Sequence, residues 1–335
     1  MLTYHDYAVA DTSCCADEIA ETVHGRGATS AQINAIRESV KKFRGDICQQ
    51  IELSNDPVYK GPICMNSVRS KSAPNHNCAR GPRQQMNSIT HVFDASNVYG
   101  SSQAELNRLR DSSGGRLKTQ TVNGVSLPPQ DTRDCSASKL KAKRCPFLGG
   151  DARINTTPNL ISAITAFVNK HNQIAKGLAT QNPQWDNEKL FQETRKIISA
   201  IQSNIHFYEY LPIVLGSTIM RKYRLSSYAG YDRNTTLLFF FMKLNKIALN
   251  ELAGAAFRFG HSSIDGFFTV VKDNGQSDFI DLKDNFFNSD LIYKDGVKQC
   301  AKGLSEDKPW DVDRHYPSQV TPATLLHYVT YIISD

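Results

Sequence analysis

The sequence predicts a mainly α protein with short loops and little β structure, arranged as one domain across residues 1–335. Apolar residues recur at helical spacing through most of residues 158–222 and again near residue 250, and no internal repeat or low-complexity tract interrupts the chain. Residues 1–150 are rich in Gly, Pro, Ser, Asn and Cys, which suits short helices and loops stapled by disulfides. Pro158 then precedes Leu160, Ile161, Ile164, Phe167, Val168, His171 and Ile174, the spacing of one helix face. A second helix is expected from about Asn187 to Tyr210, with Leu190, Phe191, Ile197, Ile198, Ile201 and Ile205 inward and Pro212 ending it. A third is expected from about Ile247 to His261, with Leu249, Leu252, Ala253, Ala256 and Phe257 as its apolar face. Beyond Gly266 the chain is less periodic and carries the aromatic pairs Phe267–Phe268 and Phe286–Phe287.

The 335 residues suffice for a substantial core, and 40% hydrophobic with 21% charged residues is ordinary globular composition. The net charge of +6 is mild, and Lys and Arg are scattered without the basic stripe that nucleic acid demands. No apolar run approaches the roughly 20 residues of a membrane span. The eight cysteines are Cys14, Cys15, Cys48, Cys64, Cys78, Cys135, Cys145 and Cys300. Their even number admits disulfides and an oxidising compartment, and without a CxxC pair they do not make a zinc ribbon. The opening MLTYHDYAVADTS has neither the basic nor the apolar region of a signal peptide. The runs LLFFFM at 237–242 and TLLHYVTYIISD at 324–335 read either as buried segments or as sequence foreign to the mature fold.

Four segments in order carry a resemblance: TYHDY at 3–7, GPRQQMNSITHVFDASNVYGSS at 81–102, FLGGDARINTTP at 147–158 and AAFRFGHSSI at 255–264. The stretch HNQIAKGL to LPIVLG between the third and fourth agrees with them. Together they resemble the animal haem peroxidases, the group of myeloperoxidase, peroxidasin, chorion peroxidase and peroxinectin, with invertebrate members nearest. The resemblance implies a helical peroxidase fold, and His261 in FRFGHS matches the axial ligand of haem iron, with Arg258 beside it supporting the site or a propionate. His5 and Arg153 match the distal pair. His5 would move a proton from the near to the leaving oxygen of peroxide, while Arg153 stabilises charge as the O–O bond stretches.

Thr90, Val92, Asp94 and Ser96 match a calcium site. On an extended segment the side chains of Thr90, Asp94 and Ser96 would share one side, and Val92 would offer its carbonyl, an oxygen set that calcium accepts. Asp6 matches the remaining ligand, so calcium would fix the backbone of the adjacent His5. The resemblance also implies disulfides Cys64–Cys78 and Cys135–Cys145, and Cys48 would pair with Cys14 or Cys15. One of that doublet and Cys300 are left over.

The chain departs from myeloperoxidase where that protein joins haem covalently. The two ester positions are Tyr4 and Thr156, and the sulfonium position is Thr157, so haem b is expected to bind non-covalently. Asn155-Thr156-Thr157 is a glycosylation sequon two residues from Arg153 and is expected to be unused, with Asn234 the favoured glycan site. Family members have a segment before the distal histidine and a helical segment after the proximal one, and neither has a counterpart here. The chain is therefore expected to be incomplete at both ends and to derive from a secreted, extracellular protein.

Two functions follow from the resemblance. One is a peroxidase that reduces hydrogen peroxide and oxidises phenols, tyrosyl side chains or halides. The other is a catalytically weak adhesion or matrix protein on the same scaffold, motivated by the integrin-type tripeptide Arg44-Gly45-Asp46. Haem content separates them, because adhesion does not require it.

Overall fold

The loop-rich and helical parts of the sequence join at Thr157, whose side chain caps the helix that Pro158 opens. The computed structural model describes residues 28–44, 51–52, 64–65, 72–73, 81, 84–87, 89–132, 135, 144–223, 225 and 249–313. Several sequence expectations lie outside the described residues: those for Tyr4, His5, Asp6, Cys14, Cys15, Cys48, Cys78, Asn234, Gly45-Asp46, LLFFFM and the C-terminal run.

The first part is built from short pieces, as its composition predicts. Helix α1 (Ser30–Arg44) is followed by antiparallel pairs of two-residue strands, Ile51–Glu52 with Cys64–Met65 and Ser72–Ala73 with Gln84–Gln85. Next come α2 (Ser96–Tyr99) and α3 (Gln103–Leu109). A reciprocal cap starts α3, where the Ser102 side chain accepts from the Glu105 N–H and the Glu105 carboxylate accepts from that of Ser102. Strands β1 (Gln120–Val122) and β2 (Val125–Leu127) form a hairpin turned at Asn123-Gly124. Cys135 and Cys145 form the disulfide that the resemblance implied.

The long helices α4 (Pro158–Gln181) and α5 (Asn187–Ile205) pack against each other and carry much of the core. Ile161, Ile164 and Val168 from α4 meet Phe191 and Ile198 from α5 in a cluster with Val98, Tyr99, Leu127 and Phe147. The buried face is more polar than the sequence suggests. Thr165 and Thr194 are fully buried along with His171, which the spacing places on that face, whereas Leu160, Ile197 and Ile205 are exposed, contrary to the inward face expected of them. One position along a helix turns about 100° around its axis, so Leu160 and Ile197 point away from a stripe that Ile161 and Ile198 occupy. Thr165 and Thr194 tolerate burial because each hydroxyl donates to the carbonyl four residues back, both at 2.7 Å.

Pro212 does not end the second helix. A π-helical turn at His206–Tyr210 leads directly into α6 (Leu211–Lys222), with Pro212 in its first turn. The Leu211 N–H still donates to the His206 carbonyl, so the helix runs on through the proline, and the wider π turn falls where Pro212 removes an N–H from the ladder.

The third expected helix is interrupted. Helix α7 covers only Asn250–Gly254, and a 3-10 helix Ala256–Ser263 follows after Ala255 leaves helical geometry (φ −136°, ψ −66°). The break follows Gly254, a weak helix former. Leu249, Leu252 and Phe257, expected as a buried face, are exposed.

Beyond Gly266 lies structure that the periodicity did not announce. Strands β3 (Phe267–Val271) and β4 (Ser277–Asp281) form an antiparallel hairpin, and α8 (Val297–Glu306) packs across β3 and onto α4. Gly303 makes that packing close, since a Cβ there would overlap the Thr269 carbonyl oxygen. Cys300 on α8 is free and fully buried, and burial pushes its thiol up to about 12.

Candidate functional site

Arg153 lies in the 3-10 turn Ala152–Asn155, which connects the disulfide-bearing loop to α4. Asp151 caps this turn by accepting from the Arg153 N–H at 2.9 Å. The same carboxylate grips the Arg153 guanidinium, Nε to Oδ1 at 2.9 Å and a terminal nitrogen to Oδ2 at 2.5 Å. Burial alone would push the Asp151 carboxyl up, but the Arg153 side-chain hydrogen bonds, its charge and its N–H together hold it below its ordinary value. Arg153 is thus a fixed cation, and its side chain remains 32% exposed.

The residues after Arg153 are occupied structurally. The Asn155 amide makes a two-way bond with the Phe147 backbone, accepting from its N–H and donating to its carbonyl, both at 2.8 Å. Thr156 is buried, its N–H donating to the Arg153 carbonyl and its own carbonyl accepting from the Phe287 N–H. The Thr157 side chain caps α4. The side chains of Asn155 and Thr157 and the backbone of Thr156 therefore brace the Arg153 turn.

The Arg153 turn also meets the candidate cation loop. A Cβ on Gly150 would overlap the Ser96 carbonyl and the Gly100 N–H, so only glycine lets the two backbones approach this closely. The loop itself is bent rather than extended, which corrects the sequence expectation. The Asp94 N–H donates to the Val92 carbonyl at 2.9 Å, and Ala95 takes a left-handed conformation (φ 60°) before α2 begins. The bend nevertheless brings Thr90 and Ser96 to Asp94, Thr90 by its side chain and Ser96 by its backbone. Asp94 Oδ1 accepts from the Thr90 hydroxyl at 2.9 Å and from the Ser96 N–H at 3.1 Å. The Asp94 carboxylate and the Thr90 hydroxyl, with the Ser96 hydroxyl and the Val92 carbonyl on the same short loop, are oxygen donors of the kind a hard cation such as calcium takes. Helix α5 holds this loop through the Ser199 hydroxyl, which donates to the Asp94 carbonyl at 3.1 Å, and through Arg195, 3.8 Å from Asp94 Oδ2.

His261 sits at the end of the second 3-10 helix, three residues after Arg258. Burial and the Arg258 charge lower the affinity of its imidazole for protons, against a hydrogen bond to the Arg258 backbone. A half-buried imidazole biased to its neutral form, with a guanidinium beside it, fits an axial iron ligand paired with a propionate partner. The segment is tied down by the Trp310 N–H to the Ser263 carbonyl at 3.1 Å and the Asp313 N–H to the Ser262 hydroxyl at 2.9 Å.

Sequence reasoning missed Asp151, Arg195 and Ser199. Asp151 carried a local signal, an acidic residue at the start of a turn and two positions from an arginine. Arg195 and Ser199 carried none, since packing alone brings them to Asp94.

The helical body belongs to a known class. It superposes on Peroxidase A of Dictyostelium discoideum with a TM-score of 0.63 and 27% identity, covering 82% of this chain and 54% of that one. A fatty acid alpha-dioxygenase of Oryza sativa shares the fold alone, with a TM-score of 0.61 and 17% identity over 81% of this chain and 47% of that one. Residues 12–327 match the animal haem peroxidase family, and the chain is a member of that family. It is 35% identical to a chorion peroxidase of Aedes aegypti over 79% of this chain and 33% of the relative. To a human peroxidasin homolog it is 34% identical over 84% of this chain and 20% of the relative. The chain therefore spans about a third or less of the length of these relatives.

Proposed function

We propose that this chain carries the peroxide-handling and haem-holding residues of a secreted peroxidase within a single domain over residues 1–335. The observation that carries the reading is Arg153, a cation fixed by Asp151 on a turn that abuts the Asp94 loop. His261 would hold the iron of haem b and Arg258 a propionate. Thr156 offers no carboxylate for an ester and is buried, while Thr157 is engaged as a helix cap, which supports a haem that would be held non-covalently. A bound haem would supply the two-electron redox chemistry between peroxide and a reducing phenol, tyrosyl side chain or halide.

The chain's own residues would then do the following. His5 takes the proton of the near peroxide oxygen and returns it to the departing one, which leaves as water. Arg153 stabilises negative charge on the oxygens as their bond lengthens, and Asp151 keeps its guanidinium from wandering. Calcium, if held by Thr90, Val92, Asp94, Ser96 and Asp6, would tie the segment that carries His5 to the Arg153 turn.

The test is the absorption spectrum of the haem-reconstituted chain, wild type beside His261→Ala. A Soret band present in the wild type and lost or shifted in the variant supports the reading. An unchanged band in His261→Ala removes His261 from the iron. No uptake by either protein refutes haem binding by this chain.

A further inference from the structure

Asp94 is contested. On one side its Oδ1 is fully engaged, accepting from the Thr90 hydroxyl and the Ser96 N–H. On the other, the Arg195 guanidinium approaches Oδ2 to 3.8 Å. That distance is too long for a hydrogen bond, so Arg195 contributes charge without a directional bond. Its position is set elsewhere, because the guanidinium carbon lies 5.2 Å from the centre of the Tyr99 ring, a cation–π arrangement on a fully buried aromatic. The Arg195 side chain is 26% exposed and that of Asp94 24%, so solvent screens the pair only in part. Helix α5 also holds the loop independently of charge, through Ser199 on the Asp94 carbonyl and Gln202 on the Asn97 side chain at 3.2 Å.

We infer that Arg195 is a built-in counter-cation that sets the cation affinity of the Asp94 loop. The inference rests on the calcium reading above. Arg195 neutralises Asp94 when the loop holds no metal and repels a divalent ion when one arrives. Thr90, Ser96, Ser199 and Gln202 fix the loop's geometry, so removing Arg195 removes the repulsion and leaves the ligands in place. Arg195 is therefore a tuning residue rather than a ligand, and its charge is the property that matters.

The experiment is calcium titration by calorimetry on protein stripped with a chelator, comparing wild type with Arg195→Met, Arg195→Gln and Arg195→Lys. Met and Gln variants are expected to bind calcium about tenfold more tightly, the effect of removing one unit charge several ångströms from a dication in a largely aqueous setting. Arg195→Lys is expected to stay near the wild type. Added potassium chloride should shrink the gap between wild type and Arg195→Met, since the effect is a screened charge. Calcium binding by the wild type with unchanged or weaker affinity in folded Met and Gln variants overturns the role of Arg195 and leaves the calcium site standing. A gap that salt does not alter overturns the electrostatic account. No calcium heat in any of the proteins overturns the calcium site and this inference together.

Discussion

The phenol of Tyr99 donates to Nδ1 of His171 across 2.7 Å, deep in the core and between elements far apart in sequence. The other ring nitrogen, Nε2, lies 2.9 Å from the Gly115 carbonyl, an acceptor only. Nε2 therefore carries the proton and Nδ1 accepts, which defines one neutral tautomer. Phe191 closes the pocket with its ring centroid 5.3 Å from that of His171. The bond joins α2, which leads out of the Asp94 loop, to α4, which leads out of the Arg153 turn.

Removing the phenolic hydroxyl should therefore be costly. Tyr99→Phe leaves a buried Nδ1 without a donor, and we expect a loss of about 1–3 kcal/mol in urea unfolding. A loss under about 0.5 kcal/mol would show that water or rearrangement satisfies the nitrogen.

Acid should act through the same histidine. Burial first, and the Arg110 charge second, lower its pKa from 6.5 to about 4, against the hydrogen bond to Gly115. The unfolded chain takes up this proton below 6.5 while the folded chain refuses it until about 4. The contribution is thus fully present above pH 6.5 and is lost as pH falls towards 4, by about 3 kcal/mol at most. Urea unfolding at stepped pH should show this loss in the wild type and a smaller one in His171→Leu. Asp151, held below its ordinary value by Arg153, adds a separate loss only below about pH 4.

Two glycines in helices should respond with opposite signs. Gly303→Ala would drive a methyl group into the Thr269 carbonyl, and we expect it to destabilise by about 2–4 kcal/mol. Gly177 in α4 has nothing within 4 Å of an added Cβ, so Gly177→Ala should stabilise by about 0.5–1 kcal/mol through helix propensity. Thermal unfolding of the two variants side by side checks the close contact of α8 with β3, since equal shifts would contradict it.

The sequon at Asn155 should remain unmodified. Both atoms of its amide are committed to the Phe147 backbone and the neighbouring Thr156 is buried. Peptide mass spectrometry of protein secreted from eukaryotic cells should find Asn155 bare. A glycan there would mean that the 147–155 clasp forms after glycosylation or not at all.

Much of the helical core could be read directly. Ile161, Ile164, Val168, Leu190, Phe191 and Ile198 are buried as their spacing indicated, and Thr157-Pro158 starts α4 by the local chemistry of a cap and a first-turn proline. The hairpin β3–β4 was legible too, in Phe-Phe-Thr-Val-Val followed by Asn274-Gly275, but the reading by helical period passed over it. Local contacts were legible around Arg153 and Asp94 as well, since Asp151, Thr90 and Ser96 lie within a few residues of them.

What only the tertiary structure decided are the pairings across the chain. Periodicity states which face of a helix is apolar and not what will cover it. Hence Leu249, Leu252 and Phe257 were expected inside and are exposed, while His171, a polar residue on an apolar stripe, is buried because Tyr99 and Gly115 satisfy both its nitrogens. The close approaches of Gly150 to Ser96, Arg195 to Asp94 and Gly303 to Thr269 exist only once the helices pack. Local sequence determined the helices and their caps through interactions within one or two turns, whereas the geometry around Asp94 was decided by packing that brings distant residues into contact.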